Sequence, residues 1–171
     1  MIFLLFTLLA AANDEAWGPP AIVMHDEKPC VAYRAQYTGG SLAISVELQP
    51  GWHTFTMDND KRASAKLNGM KALSSDKPTS IQSEGATISG AWMQPEPKNF
   101  SQPELRIFSW GYEDSALFVA PATAAGDGPH MVRIKAQACT KTVCKNIDIL
   151  AEVAQPKSGA APSTSGLIPV R

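Results

Sequence analysis

Cys139 and Cys144 stand with four residues between them in the stretch QACTKTVC, and the chain has only one other cysteine, Cys30. Two thiols at this spacing can form a structural staple, supply half of a metal site, or exchange electrons as a dithiol–disulfide pair. A staple closing about six residues would add only roughly 2 kcal/mol by loop-closure entropy. Such a bridge stabilises little and is open to attack, the character of labile disulfides. Most disulfides in exported proteins are nevertheless structural. A closed zinc site would need a second ligand pair. Cys30, His25, His53 and His130 are the remaining soft candidates, and none pairs with another at ligand spacing. Cys30 reads as a buried free thiol or as an intermolecular partner.

The elements that must position the pair are strands. HMVRIKAQA (130–138) leads into Cys139 and NIDILAEV (146–153) follows Cys144, so the cysteines bracket the turn of a hairpin with Thr140–Val143 as its loop. Val132, Ile134, Ala136 and Ala138 alternate with Arg133, Lys135 and Gln137. This parity puts Cys139 on the polar face, where it is expected to be accessible. Further strand candidates are SLAISVEL (41–48), WHTFT (52–56), ATISGAW (86–92), LRIFSW (105–110) and ALFVA (116–120). KRASAKLNGMKAL (61–73) comes nearest to a helical period, and Gly69 interrupts it. Short alternating runs punctuated by 12 glycines and 13 prolines argue for an all-β sandwich or barrel in a single domain.

The 171 residues suffice for one domain with a real core, and a net charge of −1 gives no electrostatic footprint for nucleic acid. Residues 1–12, MIFLLFTLLAAA, suit a secretory signal peptide and are too short to span a bilayer. Residues 13–27 are expected to be a linker, residues 28–153 the folded domain, and residues 154–171 a disordered tail rich in Pro, Ser, Gly and Ala. Export implies a compartment where disulfides persist, so the protein is expected to be periplasmic or secreted, with no membrane span in the mature chain.

Four stretches in order resemble one family. LQPGWHTFTMD (48–58), AWMQPEPKNF (91–100), SWGYEDSALFVAP (109–121) and IKAQACTKTVC (134–144) are similar to the aromatic strand, the W-P-x-P-K-x-F stretch, the G-Y-E strand entry and the closing cysteine pair of the N-terminal periplasmic domain of DsbD-type thiol:disulfide interchange proteins. The resemblance spans roughly residues 28 to 153. It implies an immunoglobulin-like β-sandwich that passes electrons between protein partners by thiol–disulfide exchange, as a protein-disulfide reductase without a cofactor or metal. The implied partners are thioredoxin-like redox proteins, with disulfide isomerases and cytochrome c maturation proteins as recipients.

By the same resemblance, Cys144 forms the mixed disulfide and Cys139 resolves it. His53 and Phe55 flank the cysteines, and Phe100 is the aromatic of a cap that shields the bridge. Trp52, Trp92, Trp110 and Tyr112 are assigned to packing. This chain departs from the family's best-known members in having four rather than five residues between the cysteines, in lacking Pro shortly after the second, and in carrying Lys98 and Asn99 where acidic residues precede the cap aromatic. It contains neither a multi-spanning electron-transporting domain nor a thioredoxin domain, so its electrons are expected from another protein. The alternative is a non-catalytic immunoglobulin-like binding module whose bridge is structural. No phosphate-cradling glycine loop, nucleophile elbow or His-x-x-x-His pair supports a conventional enzyme class.

Overall fold

A computed structural model describes residues 17–71, 76–126, 129–155 and 160–171. The segment 1–12, expected to be a signal peptide, lies outside the described residues. The elements in chain order are β1 (Ala21–His25), β2 (Lys28–Thr38), β3 (Ser41–Leu48), β4 (His53–Phe55), α1 (Asn59–Leu67), β5 (Ser80–Glu84), β6 (Ala86–Ile88), β7 (Met93–Pro95), β8 (Lys98–Asn99), β9 (Trp110–Glu113), β10 (Ser115–Ala124), β11 (His130–Cys139), β12 (Cys144–Ala154) and β13 (Leu167–Pro169).

Hydrogen-bonded neighbours run β13-β7-β10-β3-β2-β12-β11-β4-β9-β8, with β1 added on β2, β5 on β11 and β6 on β10. Nearly every pairing is antiparallel. The exception is the contact of β2 with β12, parallel and limited to Val153↔Ala35 and Ala154↔Gln36. That short seam joins the two layers of an immunoglobulin-like β-sandwich. Between the layers lie Val31, Tyr33, Leu42, Ile44, Val46 and Phe118 from one side and Val132, Ile134, Ile147 and Ala151 from the other. Burial of these apolar side chains is the main force holding the layers together.

Turn chemistry fixes the register. Gly39 and Gly40 both have positive φ, as a two-residue hairpin turn of the primed type requires, and they set Thr38 opposite Ser41. Asp26 and Glu27 take the same left-handed conformation between β1 and β2. α1 ends where Asn68 and Gly69 turn left-handed.

Several expectations are corrected. The linker assigned to 13–27 contains a strand, because β1 pairs along β2 and buries Val23. ATISGAW is a strand only through Ile88; beyond it Ser89 N–H donates to Pro121 O and the chain leaves the sheet. LRIFSW is not a strand until Trp110. Pro103 starts a 3-10 turn, Arg106 takes a left-handed φ, and Gln102 and Ile107 exchange backbone hydrogen bonds across the resulting tight loop. Of the stretch with the nearest helical period, 61–67 is helical, in a helix that begins at Asn59 and stops at Leu67 before Gly69.

The tail is not disordered over its described part. β13 pairs with β7, Val170 N–H donates to Trp92 O, and Arg171 N–H reaches the Asp58 carboxylate at 3.2 Å. A composition poor in large apolar residues is ordered here by backbone pairing against an existing strand edge.

Candidate redox site at the β11–β12 hairpin end

The β11–β12 hairpin pairs all ten residues of β11, from His130↔Val153 to Cys139↔Cys144. Directly opposite residues share a face, which brings the two cysteines together; their Cα atoms are 4.0 Å apart and the sulfurs are bonded. The turn is set by Thr140, whose N–H donates to Val143 O at 2.8 Å, while its Oγ1 accepts from Thr142 N–H and Val143 N–H. A Ser/Thr side chain in this position mimics a backbone turn.

Register then carries the site across the layer. Cys139 is paired with His53 on β4, and His53 with Glu113 on β9. These side chains occupy the outer face of the sandwich, and Phe55, two residues beyond His53, lies on it too. Phe100, just past β8, stacks on the His53 ring with centroids 4.8 Å apart and planes 26° from parallel. Phe55 meets the other side of that imidazole edge-on at 5.4 Å. All five sequence-predicted site residues, Cys139, Cys144, His53, Phe55 and Phe100, therefore meet at one end of one face.

The two cysteines are not equivalent. Cys144 is exposed, whereas Cys139 is only 3% exposed, against the expectation that its parity would leave it accessible. The parity is right and the exposure wrong, because this part of the outer face is covered. Residues 76–79 cross it: Lys77 N–H donates to the Gln137 side chain, Gln137 Nε2 to Asn146, and Thr79 Oγ1 to Phe55 O at 2.6 Å. From the other side comes the Phe100 segment, pinned by Phe100 N–H to Ser109 O and by Asn99 Oδ1 accepting from Ser101 N–H.

Burial among these groups lowers the His53 pKa, with the Asp76 and Glu113 charges pulling weakly the other way, so the imidazole is neutral at pH 7. Lys98 Nζ lies 2.7 Å from the Glu113 carboxylate. The close approach of β4 and β9 depends on Gly111, since a Cβ there would overlap the Thr54 carbonyl oxygen. Gly111, Glu113, Lys98, Gln137 and Thr79 were missed as site-building residues. Gly111 carried a signal as a glycine inside a strand-like run, and Lys98, Glu113 and Gln137 lay inside the stretches that resemble the family; Thr79 carried none.

Cys30 stands apart. It is buried, its Sγ donates to Val23 O at 3.3 Å, and burial raises its pKa, which keeps it protonated and unreactive. Tyr112 is in the core, and Trp52 and Trp92 pack on its margin. Among the described residues no group of three or more His, Cys, Asp or Glu could hold a metal, and no helix is long and apolar enough to cross a membrane.

Comparison with known proteins gives one decisive match. The family model described as thiol:disulfide interchange protein DsbD, N-terminal, matches residues 21–148. No curated protein matches in sequence. Among solved structures, the reduced N-terminal domain of DsbD from Neisseria meningitidis is 11% identical over 92% of both chains, with a TM-score of 0.42. The complex between the DsbD and PilB N-terminal domains of the same organism gives 13% identity over 76% of this chain and 86% of that one, with a TM-score of 0.47. The assignment rests on the family model, which starts at β1 and runs through the cysteine hairpin: the chain belongs to the family of DsbD N-terminal domains.

Proposed function

We propose that the protein is a periplasmic thiol–disulfide interchange module that passes two electrons at a time between protein partners through Cys139 and Cys144. The observation that supports this reading is the unequal burial of the two residues of one bridge, Cys139 buried and Cys144 exposed. An incoming thiolate can reach Cys144 and not Cys139, so one sulfur is attacked and the other is the leaving group.

Acting as a reductant, the Cys144 thiolate attacks a partner's disulfide, forming a mixed disulfide and releasing one partner thiolate, which takes up a proton. The Cys139 thiolate then attacks Cys144 Sγ, closes the bridge and releases the second partner thiol. The partner gains two electrons and the module is oxidised. A thioredoxin-like donor reverses these steps to restore the dithiol. Sulfur carries all the charge that moves, so no cofactor is needed. Disulfide isomerases and cytochrome c maturation proteins are the recipient classes. Phe100 and His53 cover the bridge until a partner displaces them, which limits reaction with stray thiols.

The test uses a purified thioredoxin-fold protein that keeps one reactive cysteine, activated as its mixed disulfide with thionitrobenzoate. Cys139→Ala should form a stable complex with it, releasing one thionitrobenzoate per complex, and Cys144→Ala should form little. Equal trapping by both variants, or none by either, would overturn the assigned roles. A reduction potential below about −300 mV would mark the bridge as structural.

A further inference from the structure

The segment that carries Phe100 is the outer arm of an edge hairpin, residues 98–102 against 107–111. β8 pairs with β9 through only Lys98↔Gly111 and Asn99↔Trp110, and it is the last strand of its layer. An edge hairpin, paired on one side only, opens locally at lower free-energy cost than an inner strand. One contact ties the start of this strand across the outer face, the Lys98–Glu113 ion pair. In register Lys98 faces Gly111, which has no side chain, so the lysine stem leans along β9 to the next position on the same face, Glu113. Glu113 is itself the cross-strand partner of His53. The pair thus bridges the strand leading into Phe100 and the position beside the ring on which Phe100 stacks.

We infer that Lys98–Glu113 is an electrostatic latch that keeps the Phe100 segment closed over the Cys139–Cys144 bridge. Lys98 and Glu113 are positioning residues: they touch neither sulfur and set how often the bridge is uncovered. Both side chains are about half exposed, 59% and 47%, so the latch is weak and screened by salt. A contact of this strength cannot hold the fold, but it can bias a local opening severalfold. Other contacts remain when it breaks: the Phe100–His53 stack, the Phe100 N–H to Ser109 O bond, the Ser101–Ser109 bond and the paired Gln102–Ile107 bonds. The consequence for partner exchange rests on the proposed function; the latch itself does not.

The experiment compares the full chain with Glu113→Gln, Lys98→Gln and the charge swap Lys98→Glu/Glu113→Lys. Two rates are read: hydrogen exchange of the Phe100 amide, with the Ile134 amide as the reporter of global unfolding, and second-order cleavage of the bridge by dithiothreitol. In that cleavage a dithiothreitol thiolate attacks Cys144 Sγ and Cys139 leaves; the second dithiothreitol thiol then frees Cys144 and closes to the cyclic disulfide. Each single variant should raise both rates about 2- to 5-fold at low salt, with the Phe100 amide always exchanging faster than Ile134 and the Ile134 rate rising by no more than the same factor. High salt should raise them similarly in the native protein, and the swap should restore most of the difference. An unchanged Phe100 amide, or a swap no better than the singles, would overturn the latch. Faster Phe100 exchange with unaltered cleavage would overturn its control of the bridge. If both rates shift as expected while the trapping experiment fails, the latch stands and the exchange function falls.

Discussion

Two ion pairs invite comparison, Asp58–Arg62 at the start of α1 at 2.8 Å and Lys98–Glu113 between β8 and β9 at 2.7 Å. Their lengths are alike and their surroundings opposite. The Asp58 side chain is fully buried and Arg62 nearly so. Asp58 also accepts from Gln94 Nε2 and from the Arg171 N–H, while Gln94, itself buried, accepts from Met57 N–H. α1, β7 and the tail following β13 converge on this one carboxylate. Lys98–Glu113 is about half exposed, with Asp114 near the lysine and His53 near the carboxylate. A buried charge without its partner costs several kcal/mol, whereas an exposed pair is worth about 1 kcal/mol or less. The same chemistry therefore makes a permanent knot in one place and a releasable contact in the other, and the releasable one lies beside His53, which separates it from Cys139.

Removing the knot's charge should have the largest effect. Asp58→Asn keeps the shape but leaves Arg62 without its counter-ion, and should lower stability by about 3 kcal/mol in urea titrations at pH 7. Burial pushes the Asp58 pKa up, but the bonds from Arg62, Gln94 and Arg171 outweigh it and hold the pKa at about 2. A depressed carboxylate pKa stabilises the fold above the unfolded value near 3.8, and that contribution disappears as pH falls through the folded one. About 2.5 kcal/mol should therefore be lost between roughly pH 5 and pH 1 in the native protein, and much less in Asp58→Asn. Equal acid sensitivity in the two proteins would contradict this account.

Gly111→Ala should come next, at about 2 kcal/mol, because its Cβ must push β9 away from β4. Unlike Asp58→Asn, it acts directly on the redox end, parting Glu113 from His53. Thermal unfolding measures the cost, and loss of Phe100 amide protection shows where it falls.

What the sequence disclosed divides along similar lines. β3, β11 and β12 were legible because period-2 alternation is fixed by burial between the layers, and the hairpin placed Cys139 opposite Cys144 from chain order alone. The meeting of His53, Phe55 and Phe100 with the cysteines came only through family resemblance. Neither of those sources could give the burial of Cys139, because parity assigns a face and says nothing of what other segments lay over it. The tail was opaque for the same reason: nothing in its composition signals that β7 offers an open edge or that Asp58 has room for one more donor. The Lys98–Glu113 pair required the register of a two-residue strand, below what alternation can reveal.

The smallest expected effect is also the one that probes the covered face most directly. His53 is neutral at pH 7 because burial between Phe55 and Phe100 outweighs the pull of Asp76 and Glu113 on its proton. With the folded pKa below the ordinary 6.5, an uncovered imidazole binds more protons than the covered one as the solution turns acid. Stability from the covered state is therefore complete above the ordinary value, declines as pH falls below it, and stops declining beneath the folded pKa. Opening of the Phe100 segment alone obeys the same linkage, so acid should favour the uncovered bridge. In an NMR titration His53 should show a midpoint below 6.5, and Phe100→Ala should move it upward by admitting water to one face of the ring. Lys98→Gln, which loosens the segment without removing its aromatic, should move the midpoint in the same direction by less. A midpoint that ignores Phe100→Ala would mean that Phe55 and residues 76–79 desolvate the imidazole, and that the stack closes over a face already dry.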